Sequence, residues 1–318
     1  MLRYLSPFAS DISGAASVLY EMGGITVICD AGGCTGNVSG FDEPRMGSVR
    51  SAVFSAGMRD MDAVMGDEDG LCDKILRAYD MIGGELIALV GTPVPSVIAQ
   101  DSGYMVRRLS ELTGAVCISI GTTGTRYYDK GAEEAYLKLF AHAREMPRAP
   151  GKVGVVGCTP LDVGMDVQLP EGHIAFGMGS GFDEIRHAAR CERMIVCAPC
   201  GVAAARYMEE RFGIPYEVGY PFPLPDVTRE DTVGKTLIIH QQFAANALRE
   251  RTGGDTASFF MMLPDYMREG DRHIHSEDEL REVISRYDTV IADSTYRRAV
   301  PDFDGRWIGF THYAVSGW

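Results

Sequence analysis

No uninterrupted apolar run in these 318 residues is long enough to span a bilayer, which takes about 20 such residues, so a membrane-embedded protein is not expected. The amino end lacks the continuous apolar core of a secretory signal, because Pro7 and Asp11 interrupt it; a cytoplasmic location is expected. Clusters of basic residues are missing too. With 30 Lys and Arg against 44 Asp and Glu the formal charge is −14, and a phosphate backbone needs the opposite, so no nucleic-acid partner is expected. A complete phosphate-binding loop is also lacking. Gly234-Lys235-Thr236 looks like the end of one, but Arg229 stands where its first glycine belongs, and the segment precedes a strand-like run instead of following it. Gly177 to Gly181 is glycine-rich without a full dinucleotide fingerprint, so the chain shows no nucleotide site of its own. There is no internal repeat or low-complexity segment.

What is present is an ordinary globular composition, 46% hydrophobic and 23% charged, in a chain long enough for two or three α/β domains. Short apolar runs alternate with helical stretches. Strands are expected at 24–29, 86–90, 115–120, 153–156, 174–176, 194–197, 236–240, 258–262 and 289–292, with helices at 12–21, 71–81, 104–113, 132–144 and 202–212. Ser276 and Glu279 suggest a capping box for a further helix running through Arg286. This alternation predicts parallel sheets. Breaks near Pro147 to Lys152 and Pro221 to Pro225 suggest three Rossmann-like α/β domains, at 1–147, 148–231 and 232–318. Ligands of open parallel sheets sit beyond the carboxyl ends of the strands. The residues expected there are Cys29, Cys158, Cys197, His240 and, after the last strand, Thr311 and His312. Three sheets facing one another would bring them to a central cavity.

Eight cysteines in a chain expected to be cytoplasmic point to reduced, structural or metal-binding thiols. Met194 to Cys197 reads as a strand ending on a cysteine. The turn Ala198-Pro199-Cys200-Gly201 follows, then a helix from Val202 to Phe212 closed by Gly213. Thiols at a helix amino end are expected to favour thiolate. Cys197 and Cys200 form a lone C-x-x-C, which suits a redox dithiol or half a metal site; with no second pair, structural zinc is not indicated. Cys200 is equally a packed thiol, Cys191 reads as incidental, and Cys72 and Cys117 read as core residues. His240 is a candidate proton donor or ligand and equally a histidine satisfied by backbone. His273 and His275 read as a solvated loop beside Asp271 and Glu277.

The segment from Cys197 through Arg206-Tyr207-Met208-Glu209-Glu210 to Gly213-Ile214-Pro215 resembles the cofactor-cysteine segment of nitrogenase component 1, the molybdenum-iron protein chains and their relatives. So do Gly179 to Ile185 before it, Gly14-Ala15, Cys29 to Cys34, Met58 to Gly66 and Ser96 to Asp101. Phe310-Thr311-His312-Tyr313 with Ser316-Gly317 resembles the family's closing segment, whose histidine binds the cofactor. The resemblance implies three α/β domains around a central cavity. It places Cys197, with Cys158 and Cys200 nearby and Thr311 or His312 opposite, at a metal cofactor or tetrapyrrole, and makes His240 and His312 candidate proton donors.

It also implies an iron–sulfur cluster at Cys34. Of the three cysteines the family usually supplies there, only Cys34 is retained; Ser10 and Pro93 lie near the other two positions, and Cys29 replaces a histidine. Cys29 and Cys34 from two chains would supply four thiolates to a [4Fe–4S] cluster at a twofold interface, though Cys29 is equally a buried small hydrophobe. The leading functional expectation is the catalytic component of a two-component, ATP-dependent nitrogenase-like reductase. It would form a homodimer or a heterodimer with a paralogue, take electrons from an ATP-hydrolysing iron-protein reductase and act on a small molecule. The alternatives are a scaffold that holds a metal-cofactor precursor and a non-metal binding protein on the same fold.

Overall fold

The structure is a computed structural model describing residues 3–165 and 168–317. Its strands fall into three sheets. The first contains β1 (Ile25–Ile28), β2 (Ala52–Ser55), β3 (Leu86–Val90) and β4 (Val116–Ile120) in the order β2-β1-β3-β4. The second contains β5 (Val153–Val156), β6 (His173–Ala175), β7 (Arg193–Val196) and β8 (Tyr216–Val218) in the order β6-β5-β7-β8. The third contains β9 (Thr236–Ile239), β10 (Asp255–Ser258), β11 (Arg272–His273), β12 (Thr289–Ala292) and β13 (Arg306–Gly309) in the order β11-β10-β9-β12-β13. Every pairing between these strands is parallel.

The central strands β1, β3, β5, β9 and β12 are buried along their whole length, the continuous apolar signature of a sheet covered on both faces. Those are the strands the sequence pattern announces. It does not announce β2, β8, β11 or β13, because edge strands are half-exposed and mix polar with apolar residues. The strand expected at 258–262 ends at Ser258 instead. Phe259 to Met262 owe their apolarity to packing beyond the sheet, where the Phe260 amide donates to Ser258 Oγ at 3.0 Å. Helix Glu277–Ile284 stops short of Arg286. Its cap differs from a closed box: Ser276 Oγ accepts from Glu279 N at 3.2 Å, but Glu279 reaches back to His275 N at 2.7 Å. Helix Val202–Phe212 has the expected bounds and ends on Gly213 at φ 66°.

Each strand order reverses between two central strands: β1 and β3, β5 and β7, β9 and β12. Such switch points open a crevice at the carboxyl ends, and here each carries polar or thiol groups. Thr92 Oγ1 after β3 donates to the Cys29 carbonyl after β1 at 2.7 Å. Cys158 and Cys197 follow β5 and β7, and His240 and Asp293 follow β9 and β12. Gln241 ties the third sheet to the second by donating from Nε2 to the Cys197 carbonyl at 2.9 Å.

Helices Asp11–Leu19 and Tyr128–Phe140 bind the blocks together by crossing at two glycines. A Cβ on Gly14 would lie 1.8 Å from the Tyr128 carbonyl oxygen, and one on Gly131 would lie 1.8 Å from that of Asp11. This crossing sets the position of Tyr128, which points toward the third sheet.

The expected open cavity is instead a packed junction. Cys158, Cys197, Cys200, His240 and His312 each expose at most 1% of their surface. Tyr128, Phe260 and Phe310 pack around the two imidazoles. A surface hollow of about 760 Å³ lies at the opposite, amino-terminal edge of the first sheet, lined by Tyr20, Gly24, Ile25 and Ala52 among others.

Candidate functional site

Cys34 lies in the short helix Gly33–Asn37 that follows β1. Gly32, at φ 116°, turns the chain out of the strand in a conformation that side chains with a Cβ disfavour. Asp30 pins the turn. Its Oδ2 accepts from Thr35 N at 2.7 Å, and its Oδ1 accepts from Thr35 Oγ1 at 3.0 Å and from Ser55 Oγ, at the end of β2, at 2.6 Å. The Cys34 thiol is partly exposed, and burial followed by the Asp30 charge raises its pKa. A metal binding there displaces a proton.

Cys29 is a different residue. It is buried among Ile25, Val27, Leu71 and Leu89, and burial pushes its thiol up to about 12. Cys29 thus packs as a core residue at the end of β1, where burial desolvates its sulfur.

At the junction, Cys197 Sγ donates to the Val156 carbonyl at 3.3 Å, Cys158 Sγ to that of Phe176 at 3.5 Å, and Cys200 Sγ to that of Gly157 at 3.6 Å. Burial pushes the Cys197 and Cys200 thiols well above their ordinary range. This overturns the thiolate expectation. A helix terminus favours the anion by about 1–2 kcal/mol at most, whereas full desolvation shifts a group by several pKa units.

His312 lies at the centre of a buried network that the sequence analysis missed. Its Nε2 is 3.3 Å from Asp162 Oδ1 and 3.2 Å from the Tyr128 hydroxyl, which itself donates to Asp162 Oδ1. The His312 amide donates to Asp293 Oδ2 at 2.9 Å. His240 stacks on His312 with ring centres 4.1 Å apart and on Phe310 at 4.0 Å, and its Nε2 meets the Thr311 carbonyl at 3.0 Å. Nδ1 of both imidazoles is buried without a hydrogen-bond partner. Burial lowers the His312 pKa to about 3 and that of His240 well below its ordinary value, while it raises Asp162 to about 6. Both rings are thus neutral at physiological pH with Nε2 engaged inside the protein. That geometry suits a nitrogen acceptor better than the expected proton donor. Of the two residues that could occupy the family's ligand position, His312 is inside the junction and the Thr311 side chain is exposed.

Asp162 and Tyr128 escaped notice because neither lies in a recognisable motif. The usable signal was positional: Asp162 sits four residues beyond the Cys158 strand end, in the helix Pro160–Val163. His273 and His275 lie side by side, with ring centres 4.3 Å apart, and His273 belongs to β11 instead of a loop.

Residues 10–229 match the family model described as nitrogenase component 1 type oxidoreductase. The chain belongs to this family. Over 213 residues it is 26% identical to the nitrogenase iron-molybdenum cofactor biosynthesis protein NifE of Rhodobacter capsulatus, a match covering 60% of this chain and 44% of that protein. The chain thus spans less than half the length of this relative. Two solved structures share the fold. Nitrogenase Cp1 at pH 6.5 superposes with a TM-score of 0.72 at 10% identity, over 98% of this chain and 86% of that one. Nitrogenase Cp1 at pH 5 gives 0.63 at 14% identity, over 99% and 78%. The resemblance read from the sequence implies a metal–sulfur group. Among the described residues no helix is long and apolar enough to cross a membrane.

The donor groups fit such a metal–sulfur group unequally. Cys34 offers a partly exposed thiol on a pinned turn, and the junction holds two imidazole nitrogens without a hydrogen-bond partner. Among the described residues, however, no three His, Cys, Asp or Glu side chains converge on one metal-sized point.

Asp129, next to Tyr128, makes a separate test of the junction's electrostatics. It is buried, accepts from the Met261 amide, and burial raises its pKa to about 6. A carboxyl whose folded pKa exceeds its unfolded value of 3.8 stabilises the fold most below 3.8, and that contribution is lost as pH rises through 6. Asp129→Asn should therefore gain on wild type as pH rises from about 4 to 7. Thermal melts across that range check it; a constant gap in Tm would refute the assignment.

Proposed function

We propose that this chain is a component of a nitrogenase-like reductase, pairing with a second chain at the carboxyl edge of its first sheet and holding a metal–sulfur group there through Cys34. The three sheets would then act as three domains, divided near residues 147 and 231. The observation that supports this reading is a set of exposed apolar side chains in the segments that follow β1, β2 and β3, the end of the first sheet that also carries Cys34. Phe41 follows the Cys34 helix, Met61, Val64 and Met65 follow β2, and Val94 and Val97 follow β3; all are exposed, Val97 by 83% and Val64 by 78%. Apolar surface at the end that carries the thiol is what a buried shared group requires. A metal–sulfur group held there would supply one-electron storage and transfer. The electron source would be an ATP-hydrolysing iron-protein reductase, and the substrate a small molecule.

A second reading, a scaffold for cofactor assembly, is favoured by the likeness to NifE and by the close packing of the described residues at the junction, where Cys197 is 1% exposed. The two separate by experiment. The protein is reconstituted anaerobically with iron and sulfide, then mixed with a nitrogenase iron protein and MgATP. ATP-dependent reduction of the bound group, followed by EPR, supports the reductase. Iron that is never reduced but passes to an apo-acceptor supports the scaffold, and no bound iron defeats both. Pairing is tested by sedimentation: Val64→Glu with Val97→Glu should give a monomer where wild type gives a dimer, and an unchanged dimer would put the interface elsewhere.

A further inference from the structure

We infer, resting on the reading of Cys34 as a ligand given above, that Asp30 is a positioning residue for a metal–sulfur group at that thiol. Its carboxylate fixes the turn that presents Cys34, ties the turn to the edge strand β2, and sets a negative charge beside the group.

Three donors converge on this one side chain. Oδ2 accepts from the amide of Thr35, the residue after Cys34, at 2.7 Å; Oδ1 accepts from Thr35 Oγ1 at 3.0 Å and from Ser55 Oγ at 2.6 Å. The bonds to Thr35 alone would be local bracing of a turn. The bond to Ser55 reaches further, because Ser55 is the last residue of β2, and the Asp30 carbonyl also accepts from Met58 N at 2.9 Å. Asp30 thus holds two pieces in register: the turn with Cys34, and the segment that leads to the helix Asp60–Met65, whose Met61, Val64 and Met65 are exposed. The proposed pairing needs both pieces on one face, and Asp30 is an anchor common to them.

The charge is a separate contribution. Asp30 is 2% exposed, its hydrogen-bond donors are all neutral, and among the described residues it forms no ion pair. Salt screens such a buried charge poorly. Reduction of a neighbouring metal–sulfur group adds a second negative charge, so Asp30 favours the oxidised form and lowers the reduction potential. One substitution separates geometry from charge. An asparagine whose oxygen faces the Thr35 amide can donate its two N–H groups to the Thr35 and Ser55 hydroxyls, which accept as well as donate. Asp30→Asn therefore keeps the three bonds and loses only the charge, whereas Asp30→Ala loses both.

The test has a metal-free arm and an iron-loaded arm, both on the full chain. In the metal-free protein the Thr35 amide should exchange its hydrogen about 10-fold faster in Asp30→Ala than in wild type, and at nearly the wild-type rate in Asp30→Asn. An unchanged rate in Asp30→Ala overturns the positioning role. Should that variant not fold, Ser55→Ala takes its place, at the exposed end of an edge strand. Thr35 should then exchange several-fold faster, and an unchanged rate has the same meaning. After anaerobic reconstitution with iron and sulfide, Asp30→Asn should hold iron as wild type does but be reduced at a higher potential in an EPR-monitored redox titration. An equal or lower potential overturns the charge role. Asp30→Ala should hold iron about 10-fold less tightly against a chelator, and retention equal to wild type overturns the positioning role. Wild type that binds no iron sinks the reading of Cys34 and the charge role with it, while exchange at Thr35 still decides whether Asp30 holds the turn.

Discussion

Replacing Cys34 with alanine should reduce the iron and sulfide taken up in anaerobic reconstitution to background, while Cys29→Ala should load like wild type. The sequence alone makes these two thiols look alike, five residues apart after the same strand. The structure separates them by solvation. Cys29 sits in an apolar core with its thiol pushed up to about 12, so ionising it for a metal is costly and no exposed face receives one. Its truncation removes a small buried side chain, and the expected effect is on stability, about 1–2 kcal/mol. Cys34 is partly exposed on a turn clamped by Asp30, at the end of the sheet whose following segments carry exposed apolar side chains. Because the Cys34 thiol lies above its usual pKa, loading should improve as pH is raised toward 9. Equal iron in wild type and Cys34→Ala would defeat the assignment; loss of iron in Cys29→Ala would reinstate the four-cysteine site.

Gly131→Ala is expected to be among the most damaging single-methyl additions in the chain. Its new Cβ would fall 1.8 Å from the Asp11 carbonyl oxygen, and neither partner can rotate away, since both belong to helix backbone. The helices must separate, carrying with them Asp11, which accepts from the amides of Thr123 and Gly124 at 3.1 and 2.7 Å, and Tyr128, which holds Asp162. Overpacking of this kind costs about 3 kcal/mol or more, roughly a 10 °C fall in Tm, or prevents folding outright. Gly14→Ala meets the Tyr128 carbonyl at the same distance and should behave alike. Gly36→Ala is the control: its Cβ meets nothing within 4 Å, and it should melt within a degree or two of wild type. If all three variants melt alike, the close helix crossing does not exist as described.

The sequence by itself determined the class of fold and the family. Central strands of parallel sheets are buried on both faces, so β1, β3, β5, β9 and β12 are written as continuous apolar runs, and helix Val202–Phe212 carries its own stop in Gly213. It also placed the chemical residues at the strand ends, because parallel topology puts them there. What it could not reach was solvation and proton position, which depend on neighbours distant in the chain. Edge strands β2 and β13 pair through backbone groups that leave no side-chain signature. Cys29 and Cys34 differ in burial: the first packs in the apolar core at the end of β1, the second lies on the partly exposed turn that follows. The thiols expected to ionise at a helix end are buried among apolar groups that outweigh the dipole. Asp162, 150 residues from His312 in sequence, became a partner only when the second and third sheets met. Tertiary structure decided those points because a pKa or a tautomer is fixed by atoms within a few ångströms, and here those atoms come from all three sheets' surroundings.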